Sequence, residues 1–144
     1  MRGLIILALI CWACGKPGGS EHPNSAKFQQ YYNQGEQLYS QHCSNCHQKT
    51  GTGLGLVYPP LNKSDFVDQH FEEVICLMRN GRKGELIVNG KMYNQAMPAT
   101  TLSDLEIAEI ATYIYNTWGR DRGLLEVNQI ATQLQQCDSV PSVR

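Results

Sequence analysis

Phe28, Tyr32, Gly35 and Tyr39 recur at spacings of four, three and four residues, the period of one helical face. The pattern predicts a helix from about Ser25 to His42. A glycine inside it costs about 1 kcal/mol against alanine. The reason expected for Gly35 is a second helix crossing close at that point. A second apolar stripe, Val67, Phe71, Val74, Ile75 and Met78, predicts one helix over Asp65 to Asn80, stopped by Gly81. Glu85-Leu86-Ile87-Val88, Asn89-Gly90 and Lys91-Met92-Tyr93 read as a small hairpin around a type I′ turn. Ser103-Asp104-Leu105-Glu106 is a capping box, with Leu102 and Ile107 as its staple. The helix it opens is expected to run to about Trp118 and to bury Ile107, Ile110, Ala111, Ile114 and Trp118. Gly119 to Gly123 breaks the chain. Leu124, Val127, Ala131 and Leu134 then predict a last amphipathic helix ending near Cys137. The pattern is all-α, with a β-hairpin near 85–93 and an extra C-terminal helix.

The first residues follow another rule. Arg2 and the apolar run Gly3 to Ala13 read as a signal peptide over 1–13, too short to span a bilayer. Ala13-Cys14-Gly15 resembles the lipobox of bacterial lipoproteins, in which the cysteine is diacylated and becomes the mature N-terminus. Cys11 is a competing candidate, and an ordinary cleaved signal is the alternative. Gly15 to Asn24, rich in glycine, proline and polar residues, reads as a flexible tether. The organisation expected is a signal peptide 1–13, a lipidated tether 14–24, a domain over 25–119 and a helical extension over 120–144. The 144 residues, 42% hydrophobic and 17% charged, suit one small domain. A net charge of -1 without a basic patch argues against nucleic acid as a partner.

Cys43-Ser44-Asn45-Cys46-His47 is where the chemistry lies. C-x-x-C-H is the attachment signature of a c-type haem. Two thiols three positions apart can add to the two vinyl groups of one haem edge, and the next histidine is held near the iron. A redox C-x-x-C needs a βαβ setting that is not visible, and a zinc site needs a second ligand pair that does not exist. Gly51-Thr52-Gly53-Leu54-Gly55 reads as a flexible wrap around the haem edge. A stiff carbonyl from Tyr58-Pro59-Pro60-Leu61 could accept the other ring N–H of His47 and fix its tautomer. The second axial position has several candidates. His22 lies in the tether, His42 is tied to the attachment turn, and Met78 sits on an apolar stripe where methionine is usually core. Met97, before Pro98 in an irregular stretch, ranks first; Met92 in the hairpin is second and His70 third.

With these residues in place the chain resembles a class I mono-haem cytochrome c. The matching residues are Gly35 and Tyr39, Cys43-x-x-Cys46-His47, Pro59-x-Leu61, Met97-Pro98 and Tyr113. The resemblance implies three core helices wrapped around one covalent heme c. It implies thioethers at Cys43 and Cys46, His47 and Met97 as axial ligands, and a Pro59 carbonyl supporting His47. It implies one-electron transfer rather than catalysis, between a quinol-linked or dehydrogenase donor and a terminal oxidase or reductase. Location would be periplasmic, with the membrane reached through Cys14. A haem-based gas sensor or peroxidase-like protein with a labile distal ligand is the alternative function. A copper-handling protein would leave the C-x-x-C-H spacing unexplained.

Cys76 and Cys137 are not part of the family pattern. At about 100° per residue, Cys76 points roughly 150° from the apolar stripe of its helix. A disulfide to Cys137 would staple the C-terminal extension to the core; two free or separately buried thiols are the alternative.

Overall fold

A computed structural model describes residues 25–137, so the expected signal peptide, the tether, Cys14 and its rival Cys11 lie outside the described residues. Ser25 opens α1 (Ala26–His42) by accepting a hydrogen bond from the Phe28 N–H at 3.0 Å. The buried face of α1 is Phe28, Tyr31, Gly35, Leu38 and Tyr39. That face lies against α5 (Asp104–Ile114), whose capping box is complete: Ser103 Oγ accepts from Glu106 N, and Glu106 Oε2 accepts from Ser103 N. The two helices cross at Gly35. A methyl group added there would fall 2.0 Å from the Glu109 carbonyl oxygen. The close crossing expected from the sequence is therefore present. Around it the rings of Tyr32, Tyr39, Tyr113 and Trp118 pack at centroid distances of 5.3–6.0 Å.

Two helix boundaries differ from the expectation. The segment 65–80 is two helices, α3 (Asp65–Gln69) and α4 (Phe71–Asn80), broken at His70. An unbroken helix would turn Phe66 about 140° away from Phe71, yet Phe66, Val67 and Phe71 are all buried. The break lets all three face inward, and the Val67 carbonyl accepts from the buried Tyr115 hydroxyl at 3.0 Å. The second difference is that α5 stops at Ile114 rather than Trp118. The Asn116 side chain takes over there. It donates to the carbonyls of Thr112 and Gly123 at 2.7 and 2.8 Å, and accepts from Gly123 N at 2.7 Å. Trp118 sits at φ +53°, which turns its ring onto Gly51.

The hairpin is as expected. β1 (Leu86–Val88) pairs antiparallel with β2 (Lys91–Tyr93), in the register Leu86 with Tyr93, Ile87 with Met92 and Val88 with Lys91. Asn89 and Gly90 both have positive φ, as a type I′ turn requires. The turn is clasped to α3: Asn89 N donates to Asp65 Oδ1 and Asp65 N to Asn89 Oδ1.

α6 (Val127–Gln135) packs on α4 and α5. Its fully buried residue is Ile130, which the expected stripe of Leu124, Val127, Ala131 and Leu134 passed over. Leu125 and Ile130 belong to the same hydrophobic cluster as α1, α4 and α5, so residues beyond 119 share one core with those before. At the far end of α6 the structure joins Cys137 to Cys76 of α4, with Cα atoms 5.4 Å apart.

Candidate functional site

The C-x-x-C-H turn is a direct continuation of α1. Cys43 caps it, and the one-turn helix α2 (Ser44–His47) follows, with His47 N donating to Cys43 O at 2.9 Å. Both thiols are free and half-buried. Burial, and then the neighbouring Cys46, push the Cys43 thiol up to about 12. The His47 Nδ1 lies 2.9 Å from the Pro59 carbonyl oxygen. A carbonyl only accepts, so Nδ1 carries the proton and Nε2 keeps its lone pair. Burial lowers the proton affinity of His47, and the bond to Pro59 opposes it only in part. The ring is held neutral, in the tautomer that a metal ligand needs.

The glycine-rich loop is not the flexible wrap expected. Gly53 N donates to His47 O, and the Gly51 carbonyl accepts from both Leu61 N and Asn62 N, at 2.7 and 2.8 Å. Gly51 and Gly53 sit at φ +66°, and a side chain at Gly53 would strike the Tyr58 and Pro59 carbonyls. The glycines let the chain fold back tightly enough to bring Pro59 to His47. Gly51 and Gly53 are buried, while Thr52 and the tip, Leu54 to Val57, are exposed.

Beside His47 opens an apolar cleft of about 620 Å³, mouth included. Pro59, Phe66, Val74, Met78, Ile110 and Ile114 are among its walls, with Met97. Two neighbouring hollows share His47 and Met97 with it, so these two side chains stand where all three voids meet. Met92 is elsewhere, on the hairpin, with 57% of its surface exposed. Met78 is buried within the cleft wall. His70 separates α3 from α4 and stacks on Phe66. His42 is exposed at the end of α1. His22 lies outside the described residues.

The Met97 segment is laced to the end of α4. Arg82 N donates to Met97 O at 2.8 Å and Met97 N to Arg82 O at 2.9 Å, an isolated antiparallel bridge. Thr100 adds bonds to the carbonyls of Arg79 and Met78. Gly81 permits the approach, since a side chain there would meet Met97 O at 2.4 Å. Gly81 also ends α4, as its place in the sequence predicts, whereas no local pattern marks Arg82.

An apolar slot, two thiols at one edge, a neutral imidazole on one wall and a thioether beside it fit a flat iron macrocycle. The fold and site are those of a cytochrome c. Consistent with this, the chain matches the family described as "Cytochrome C oxidase, cbb3-type, subunit III" over residues 30–114, more than half its length, and belongs to that family. It is 32% identical over 90 residues to a cytochrome c-552 of Thermus thermophilus, covering 59% of this chain and 68% of the relative. A second cytochrome c-552, from a particular strain of the same species, is 32% identical with 60% of its length covered. The family carries covalently bound haem c, one group in a domain of this size, and its members work in electron transport. Domains of this type lie on the extracellular or periplasmic side. Among the described residues no helix is long and apolar enough to cross a membrane.

Proposed function

We propose that this protein carries single electrons in a respiratory chain, with His47 and Met97 as the axial ligands of its haem. The observation that supports this most is the shared position of these two side chains at the apolar slot, with His47 Nδ1 committed to Pro59. When bound, haem c supplies exchange between ferrous and ferric iron. The chain's residues do the rest. Cys43 and Cys46 form the thioethers that keep the cofactor from leaving. His47 presents Nε2, and Met97 its sulfur. α3, α4 and α5 supply walls of the slot, α1 leads into its attachment turn, and Ile110, Ile114 and Val74 exclude water from it. A His/Met pair gives a higher potential than two histidines. That suits a donor of quinol-linked or dehydrogenase type and a terminal oxidase or reductase as acceptor. The family's description, which names an oxidase subunit, favours the oxidase. A signal peptide and a lipid on Cys14, with 14–24 as tether, would keep the domain near such partners. The bridge of Met97 to Arg82, with Thr100 tying the same segment to the end of α4, speaks for a lasting bond rather than the labile ligand a gas sensor needs.

The test is a spectroelectrochemical titration of the purified holo-protein. A reversible one-electron wave is expected, together with the weak band near the red end of the visible spectrum that methionine gives with ferric iron. Met97→Ala should abolish the band and Met92→Ala should keep it. The reverse pattern would pass the role to Met92.

A further inference from the structure

Arg82 does more than lend its main chain to Met97. Its guanidinium donates to Glu73 Oε1 at 2.9 Å and to the Glu85 carbonyl at 2.7 Å. The ion pair is the most enclosed of the described ones, with side chains 14% and 7% exposed. The others leave at least one partner 39% exposed or more. Breaking so enclosed a pair is costly, because removing one partner strands the other's buried charge. Glu73 stands on α4, and on its outer side the Cys76–Cys137 link lines the same surface hollow as Glu73 and Arg82. Arg82 therefore sits between a fixed carboxylate on one side and the Met97 backbone on the other. It also lines one of the hollows that His47 and Met97 share.

From this arrangement we infer that Arg82, held by Glu73, is the positioning residue for the distal methionine. Its side chain fixes the 82–97 bridge, and the bridge fixes the distance at which the Met97 sulfur stands from the slot. The inference rests on the reading that Met97 is the axial ligand. Losing the guanidinium anchor lets residues 82–85 shift and the bridge follow them. The methionine then yields more readily to a competing ligand.

Imidazole titrated into the ferric holo-protein reads this directly, with the red-end band and thermal unfolding followed in parallel. Arg82→Gln and Glu73→Leu should bind imidazole at least tenfold more tightly than the unaltered protein, approaching Met97→Ala, and should dim the band. Glu73→Gln, which keeps an acceptor for the guanidinium, should restore most of the original affinity. Lys27→Gln breaks the more exposed pair to Glu126, away from the slot, and should leave affinity and band unchanged. Unchanged imidazole affinity in Arg82→Gln, whatever its melting temperature, overturns the inference. If that variant does not fold, unchanged affinity in Glu73→Leu overturns it equally. Retention of the band in Met97→Ala would instead overturn the ligand reading, so the two failures are told apart.

Discussion

Replacing Gly35 with alanine tests the crossing of α1 and α5. Two terms oppose each other. Alanine is favoured over glycine inside a helix by about 1 kcal/mol. Against that, the new Cβ would stand 2.0 Å from the Glu109 oxygen, 2.6 Å from its carbonyl carbon and 3.0 Å from Tyr113 Cβ. The obstacle is main chain, so it cannot swing aside as a side-chain tip would. The helices must part by about 1 Å or more, which overpacks the site and loosens the ring cluster. Overpacking costs about 1–3 kcal/mol, and a main-chain obstacle places this case at the upper end. The net loss is about 2 kcal/mol, or a fall in Tm of about 8 °C for a chain of this size. Urea unfolding of the holo-protein, followed by circular dichroism, measures it. Gln34→Ala, exposed on the same helix, serves as the control and should stay within about 0.5 kcal/mol. A Gly35→Ala protein as stable as the original would refute the close crossing.

Other expectations are as direct. Changing both Cys43 and Cys46 to alanine should abolish covalent haem on a denaturing gel, and either single change should leave one thioether. Cys14→Ser should move the protein from the detergent phase to the soluble fraction; a wild-type protein already soluble would exclude the anchor. Cys76 and Cys137 should resist alkylation until a reductant is added, and closing so long a loop is worth about 3–5 kcal/mol. Glu109 is buried, and desolvation followed by the nearby Glu106 raises its carboxyl above 4.5. The folded state then holds a proton that the unfolded state has released, so this residue lowers stability as pH rises through and above about 4.5. Glu109→Gln should therefore be more stable than the original at pH 7, with the difference vanishing below pH 4.

What was legible in the chain followed rules of short range. The capping box at Ser103, the Asn89-Gly90 turn and the C-x-x-C-H turn are each decided within five residues. Gly35 was readable because a glycine on an otherwise aromatic helical face needs a reason. What the pattern missed was decided by partners far along the chain. His70 breaks a helix whose stripe looked continuous because Tyr115, far along the chain, takes the Val67 carbonyl. α5 ends early because the Asn116 amide bonds to Gly123. The loop at Gly51 is firm rather than loose because the Trp118 ring covers it, and glycine spacing alone does not reveal a lid. Ile130 escaped because a short helix offers several near-equal stripes. The cleft wall at Met97 was legible through Pro98, whereas the Arg82 bridge that holds it was not.

The pairing of α1 with α5 also sets a timetable. α1 ends at His42, and its main neighbour does not begin until Asp104. Contacts so distant in sequence form late, because loop closure must be met before they reward the chain. Until α5 arrives, the attachment turn sits on unpacked chain with its thiols within reach of whatever installs the cofactor. Afterwards Cys43 is half-buried, and its raised thiol holds less of the reactive thiolate. Four cysteines lie between residues 25 and 137, and four permit three pairings. Thioethers at Cys43 and Cys46, as proposed above, would withdraw two of them and leave Cys76 a single partner. Were the cofactor loaded before oxidation, the Cys76–Cys137 link would be the one pairing left to these four cysteines.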